Sequence, residues 1–166
     1  VGDTIRFTST LPYRIQVSGR TRHFINAFGE ELIVDNADEA IRRASIATDA
    51  CVRDYTAAPV YMTEKSSGAH QWLIEFEQEP KSVERFTEVL DDTLKSLNTD
   101  YEAKRAFDFI LKKPEVHVAP SGTFYNWLRE KNKLGGQHKV PRLSNERMFM
   151  DELLTQIEAR RAALVS

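Results

Sequence analysis

A single cysteine, Cys51, rules out an internal disulfide, and with it the small secreted scaffold that depends on several. No apolar run approaches the roughly 20 residues that a membrane-crossing helix needs, so no membrane segment is expected. Charge of one sign is lacking too: 23 basic residues against 25 acidic ones leave a net charge of -2, with no basic cluster interleaved with aromatics. Nucleic acid, whose phosphates reward a basic stripe, is therefore not an expected partner. His23, His70, His117 and His138 are scattered without zinc-ligand spacing, and no metal site is expected. There is no G-x-x-x-x-G-K-[ST] loop and no nucleophile elbow. Ser66-Ser67-Gly68 lies between two expected strands and reads as a hairpin connection.

What remains is a soluble globular composition, 41% apolar and 29% charged, in 166 residues. That length allows one domain with a proper core. Cysteine usage suggests a reducing, cytoplasmic setting. The chain opens at Val1 without a methionine or leader and runs at once into a strand pattern, so it is expected to be a piece of a longer protein.

Ile5 and Phe7 alternate with Arg6 and Thr8, Leu11-Pro12 interrupts, and Tyr13, Ile15 and Val17 alternate again, which predicts a strand pair. Ser18-Gly19-Arg20-Thr21 is expected to be a second turn, and His23 to Phe28 a short strand ending at Gly29. A helix is expected from an Asn36 cap to about Arg53, with Ile41, Ala44, Thr48, Cys51 and Val52 inward and Cys51 buried. Strands follow at Ala57 to Met62 and Gln71 to Glu77, the second with Trp72, Ile74 and Phe76 on one face. Val83, Phe86, Leu90, Leu94 and Leu97 recur at helical spacing behind a Ser82 cap. Tyr101 to Leu111 is expected to be helical, Val116 and Val118 a short strand, and Ser121 or Thr123 the cap of a helix to about Lys131. A last helix from near Asn145 carries Phe149, Leu153, Ile157 and Leu164 inward. The fold expected is α+β, a mixed or antiparallel sheet flanked by helices and preceded by an N-terminal β-hairpin, with a split βαβ unit inside it.

Three residues are candidates for chemistry. Lys139 follows Gly135-Gly136 and precedes Pro141, so its loop can carry an ammonium group to a phosphate, or it is an ordinary surface lysine in a turn. Asp3, after Gly2 at the mouth of a strand, can accept hydrogen bonds from the vicinal hydroxyls of a ribose, or serve as a turn aspartate. Arg20 can bind a phosphate bidentately or pair with a surface acid. The neighbouring carboxylates Glu30-Glu31 read as ordinary surface and helix-start residues.

The order Gly2-Asp3, Arg6-Phe7, Pro12-Tyr13-Arg14-Ile15, Ser18-Gly19-Arg20, Ile25-Asn26 and Gly29-Glu30 resembles the hinge and C-terminal lid of adenylate-forming enzymes. Further on, Gly68-Ala69-His70-Gln71-Trp72-Leu73-Ile74-Glu75-Phe76, Gly122-Thr123-Phe124 and Gly136-Gln137-His138-Lys139-Val140-Pro141-Arg142 are similar to the auxin-responsive acyl-acid amido synthetase family. The resemblance implies residues 1–18 as hinge and hairpin and 19–166 as the C-terminal lid of a ligase whose large N-terminal adenylation domain is its partner. It implies ATP with Mg as cofactor, bound mainly by that domain, and a carboxylic acid and an amino acid as substrates. Asp3 would hold the ribose, Arg20 would sit near the nucleotide, and Lys139 would approach the phosphates, while the isolated lid would be inactive. A thioester-forming lid and a non-catalytic module that binds a small ligand are the alternatives. Two departures from plant members stand out: Gly29-Glu30 replaces a lysine-bearing stretch, and the tail after Arg142 is longer.

Overall fold

The computed structural model describes residues 3–20, 24–132 and 139–165; for 3–7, 10, 16–20, 164 and 165 it describes the backbone alone. A two-stranded antiparallel ribbon comes first, β1 (Asp3–Thr10) and β2 (Tyr13–Arg20), turning at Leu11-Pro12. Ser18-Gly19-Arg20, expected as a turn, continues β2 instead, through a register shift at Ser18 between the Thr4–Gly19 and Ile5–Val17 pairs. A minimal pair, β3 (Phe24–Ile25) with β4 (Leu32–Ile33), leads into α1 (Val34–Thr48). The expected strand at 23–28 thus keeps only two described residues, and His23 lies outside the described residues.

Helix α1 starts before the expected Asn36 cap and stops sooner than its apolar period suggests. Asp49 takes a left-handed conformation (φ 56) and Ala50 donates its N–H to Ser45 O at 2.9 Å, which closes the helix. Cys51 therefore opens strand β5 (Cys51–Val60) and is exposed, not buried on a helix. Its thiol lies 3.4 Å from Glu77 Oε2. β5 pairs antiparallel with β6 (Ala69–Gln78), and β6 pairs parallel with β7 (Glu115–Ala119), giving a mixed sheet ordered β5-β6-β7. Because β7 lies directly beside β6, no strand is inserted and the crossover is a plain βαβ unit instead of a split one.

The crossover contains α2 (Val83–Leu97), whose first turn is capped by Ser82 Oγ accepting from Arg85 N at 3.1 Å. Asn98 caps α3 (Thr99–Arg105) in the same way through Tyr101 N. The expected helix to Leu111 ends at Arg105, because a 3-10 turn over Ala106–Asp108 puts Phe107 and Asp108 in left-handed backbone conformations. α4 (Thr123–Glu130) and α5 (Met148–Val165) complete the chain.

The sheet is covered on both faces. Tyr55, Ala57, Trp72, Ile74 and Phe76 face α1 and α2 with Ile41, Ala44, Phe86, Leu90 and Leu94. Ala58, Leu73 and Ala119 face α4 and α5 with Phe124, Trp127, Met150, Leu153 and Ile157. Strand alternation sends successive residues to opposite faces, so the expected Trp72, Ile74, Phe76 stripe is one half of a sheet buried on both sides.

Candidate functional site

Lys139 is exposed, and its position is set by the four residues after it. Val140 is buried in the layer under α4 and α5, whereas Leu143 is buried in the layer under α1 and α2. Between them the backbone joins the free edge of β5: Thr56 Oγ1 donates to Pro141 O at 2.7 Å, Ala57 N to Arg142 O at 2.8 Å, and Ser144 N to Ala57 O at 3.1 Å. The segment is thus an edge strand in miniature, with Leu143 bridged in parallel to Ala57. Lys139 and Arg142 are exposed, while Val140 and Leu143 anchor the segment to both halves of the core. Among the described residues Lys139 makes no hydrogen bond or ion pair, so its ammonium is free to meet an anion. The Gly135-Gly136 pair and His138 lie outside the described residues.

Around this rim the charges are ordered. The Arg142 guanidinium pairs with Asp38 of α1 and lies 5.4 Å over the Tyr55 ring, and Tyr55 donates its hydroxyl to Asp38 at 2.7 Å. Burial pushes the Tyr55 phenol up, and the Asp38 charge adds to the shift. Burial also pushes the Asp54 carboxyl up, against the pull of the Tyr55 amide and of the positive charges on Arg142 and Lys139. Arg53 lies 3.8 Å from Glu75 and 3.5 Å from Glu77 on the same end of the sheet.

Glu75 has a separate task. Only 1% exposed, it accepts from Gly122 N at 2.8 Å and from Phe124 N at 3.2 Å, satisfying the first N–H groups of α4. Neither Ser121 nor Thr123 caps this helix: Gly122 occupies the cap position at φ 79, a conformation that favours glycine, and Thr123 turns its hydroxyl to Pro120 O.

The Glu30-Glu31 pair is not plain surface. Glu30 is fully buried, with Oε1 2.8 Å from Nε2 of the equally buried His70 and Oε2 accepting from Phe28 N at 2.7 Å. Phe28 and Tyr101 lie against the His70 ring with centroids 6.2 and 5.6 Å away. Burial raises the Glu30 carboxyl, but the His70 hydrogen bond and charge, with the Phe28 amide, outweigh it and hold the group below its usual range. Gly68 makes room for this packing, since a Cβ there would lie 2.3 Å from Phe28 Cζ.

Asp3 and Arg20 are brought together: they are Cα partners at the open end of the β1-β2 ribbon, directly opposite each other. Lys139 is on a different element, the edge of β5. The residues that the sequence did not single out are the supports, Asp38, Tyr55, Glu75 and the Glu30–His70 pair. Their signal is three-dimensional, because the Glu30 and His70 carboxylate and ring meet across forty residues of sequence.

With this geometry in place, residues 35–148 match the GH3 family C-terminal domain. No curated protein matches the chain. Two solved structures share its fold. A GH3.15 acyl acid amido synthetase aligns with 96% of this chain at 20% identity and a TM-score of 0.74. A structure titled AtGH3.15 acyl acid amido synthetase in complex with 2,4-DB aligns with 95% at 18% identity and a TM-score of 0.71. The chain spans 29% and 30% of those two chains, under a third of each.

Proposed function

We propose that this chain, which belongs to the GH3 family and forms its C-terminal domain, is the mobile lid of an ATP-dependent ligase. The enzyme adenylates a carboxylic acid and passes the acyl group to the amine of an amino acid. The observation that carries this reading is Lys139, an exposed cation with no hydrogen bond or ion pair among the described residues, held at the sheet rim inside the matched region. A carboxylate is a poor electrophile until its oxygen becomes a phosphate leaving group. The step that makes the acyl-adenylate builds negative charge on the departing pyrophosphate, and a preorganised ammonium group meets that charge. Asp3 and Arg20 belong in this reading as a facing pair, an acceptor for the ribose hydroxyls opposite a donor for phosphate oxygens. ATP and Mg are held mainly by the N-terminal adenylation domain, against which the lid closes and which supplies the acid pocket.

The test is acid-dependent exchange of labelled pyrophosphate into ATP by the full-length protein over a panel of carboxylic acids. Parent protein should exchange, and Lys139→Ala should lose at least about a hundredfold of the rate, the scale on which removing one transition-state donor acts. Exchange that survives in Lys139→Ala removes the lysine from the chemistry. No exchange with any acid overturns the ligase reading.

A further inference from the structure

We propose that Arg142, Asp38 and Tyr55 form a latch that positions Lys139 by fastening its segment to the first helix of the lid. This rests on the reading of Lys139 as the cation that faces the phosphates. The parts differ in rigidity. Tyr55 is 3% exposed, stacked on Trp72 at 5.7 Å between centroids, and so provides a fixed platform. The Arg142 and Asp38 side chains are 48% and 42% exposed and form the solvent-facing half. Their pairing is oriented twice, by the ring under the guanidinium at 5.4 Å and by the Tyr55 hydroxyl on the Asp38 carboxylate at 2.7 Å.

An ion pair this exposed contributes little to stability, so its value has to be sought in what it places. Arg142 lies three residues after Lys139, and its own carbonyl is bonded to Ala57 N. The latch therefore reinforces the stitch that fixes where the lysine segment leaves the sheet. It does so from α1, the helix entered directly from the β3-β4 pair that follows the hairpin. Beside the buried Leu143, the ion pair adds a solvent-facing tie between the first helix and the lysine segment that is weak enough to open.

A competing role for Arg142 is direct contact with phosphate, and the two differ in sign at Asp38. If Arg142 were a phosphate ligand, Asp38→Ala would free it and leave exchange unchanged or faster. A latch requires Asp38→Ala to slow it. Expected in the full-length protein is a fall in the kcat of pyrophosphate exchange on the order of tenfold, smaller than the hundredfold of a gross misplacement, with the KM for ATP within about twofold and the melting temperature unchanged. Arg142→Ala should behave alike. The double variant Asp38→Ala with Arg142→Ala should be no slower than either single under a latch, since each single already breaks the same contact, whereas phosphate contact predicts the loss of Arg142→Ala with no matching loss in Asp38→Ala. Amide hydrogen exchange provides a readout that needs no turnover: Ala57 and Ser144, whose N–H groups make the stitch, should exchange faster in both single variants and no faster still in the double. A parent protein without exchange activity would sink the ligase reading alone, and the amide rates would still decide the latch. Unchanged amide rates, or losses that add in the double variant, overturn it.

Discussion

The two layers that sandwich the sheet are held in different ways. Under α1, α2 and α3 the protein buries charge: Asp91, 3% exposed, accepts from Nε and Nη2 of Arg105 at 2.8 Å each and from the Tyr101 hydroxyl at 2.8 Å, while Glu30 meets His70 close by. Under α4 and α5 the cluster is apolar, the buried Glu75 is met by the backbone N–H groups that open α4 instead of by a buried cation, and the ion pairs Lys131–Glu152 and Arg160–Glu130 lie at the rim. Buried pairs fix geometry because each partner is costly without the other, whereas apolar packing tolerates sliding. The charged layer is the rigid frame that follows the hairpin and carries Asp38. The apolar layer holds the segment next to Lys139 through Val140, and Lys139 sits where the two layers meet.

Arg105→Ala tests the frame hardest. It leaves Asp91 buried with only Tyr101 and the partly exposed Lys95, and it frees Leu111 O and the turn that presents Phe107. A loss of about 3 to 5 kcal/mol in denaturant unfolding is expected. A loss below about 1 kcal/mol would show that the charged layer is no frame.

The pH dependence sharpens the same contrast. Glu30 and Asp91 are each held below the ordinary carboxylate range, although burial opposes it, by the hydrogen bonds and charges of their partners. A carboxyl whose folded pKa lies below its unfolded one adds stability above the unfolded value, about 4.3 for Glu, and loses it as pH falls through the folded value. Melting temperature should therefore hold from pH 7 to about pH 5 and fall below that. Glu30→Gln should lower stability at pH 7 by about 2 kcal/mol and show a shallower acid fall; equal slopes in parent and variant would remove Glu30 from the acid response.

Periodic segments were legible in the sequence and their stops and supports were not. Val83, Phe86, Leu90 and Leu94 with a Ser82 cap predict α2 within one residue at each end, because the cap and the stripe are both local. Cys51 was misplaced for the opposite reason: its spacing continues the helical stripe, and the left-handed Asp49 that ends α1 has no glycine to mark it. Glu75 reads as the polar face of a strand, since only the arrival of α4 makes a buried carboxylate useful there. Lys139, Asp3 and Arg20 were readable as candidates only, and the opposition of Asp3 and Arg20 in the ribbon follows from the hairpin register. What holds Lys139 was not, as Val140 and Leu143 join cores that no window of sequence contains.

The smallest effect comes from the rim of the apolar layer. Arg160 Nη2 lies 3.2 Å from Glu130 Oε1 with the two side chains 39% and 55% exposed, so the pair spans α5 and α4 in full view of water. Screening by solvent and the entropy of two long side chains leave such pairs a contribution between zero and about 1 kcal/mol. Arg160→Ala should shift the unfolding free energy by no more than that, and raising the salt concentration should leave parent and variant equally stable. A loss above about 1.5 kcal/mol, or one that persists at high salt, would mean that the pair and not the packing of Met150, Leu153 and Ile157 fastens α5 to the domain. The two layers would then be held by the same means, and the frame would extend to both sides of Lys139.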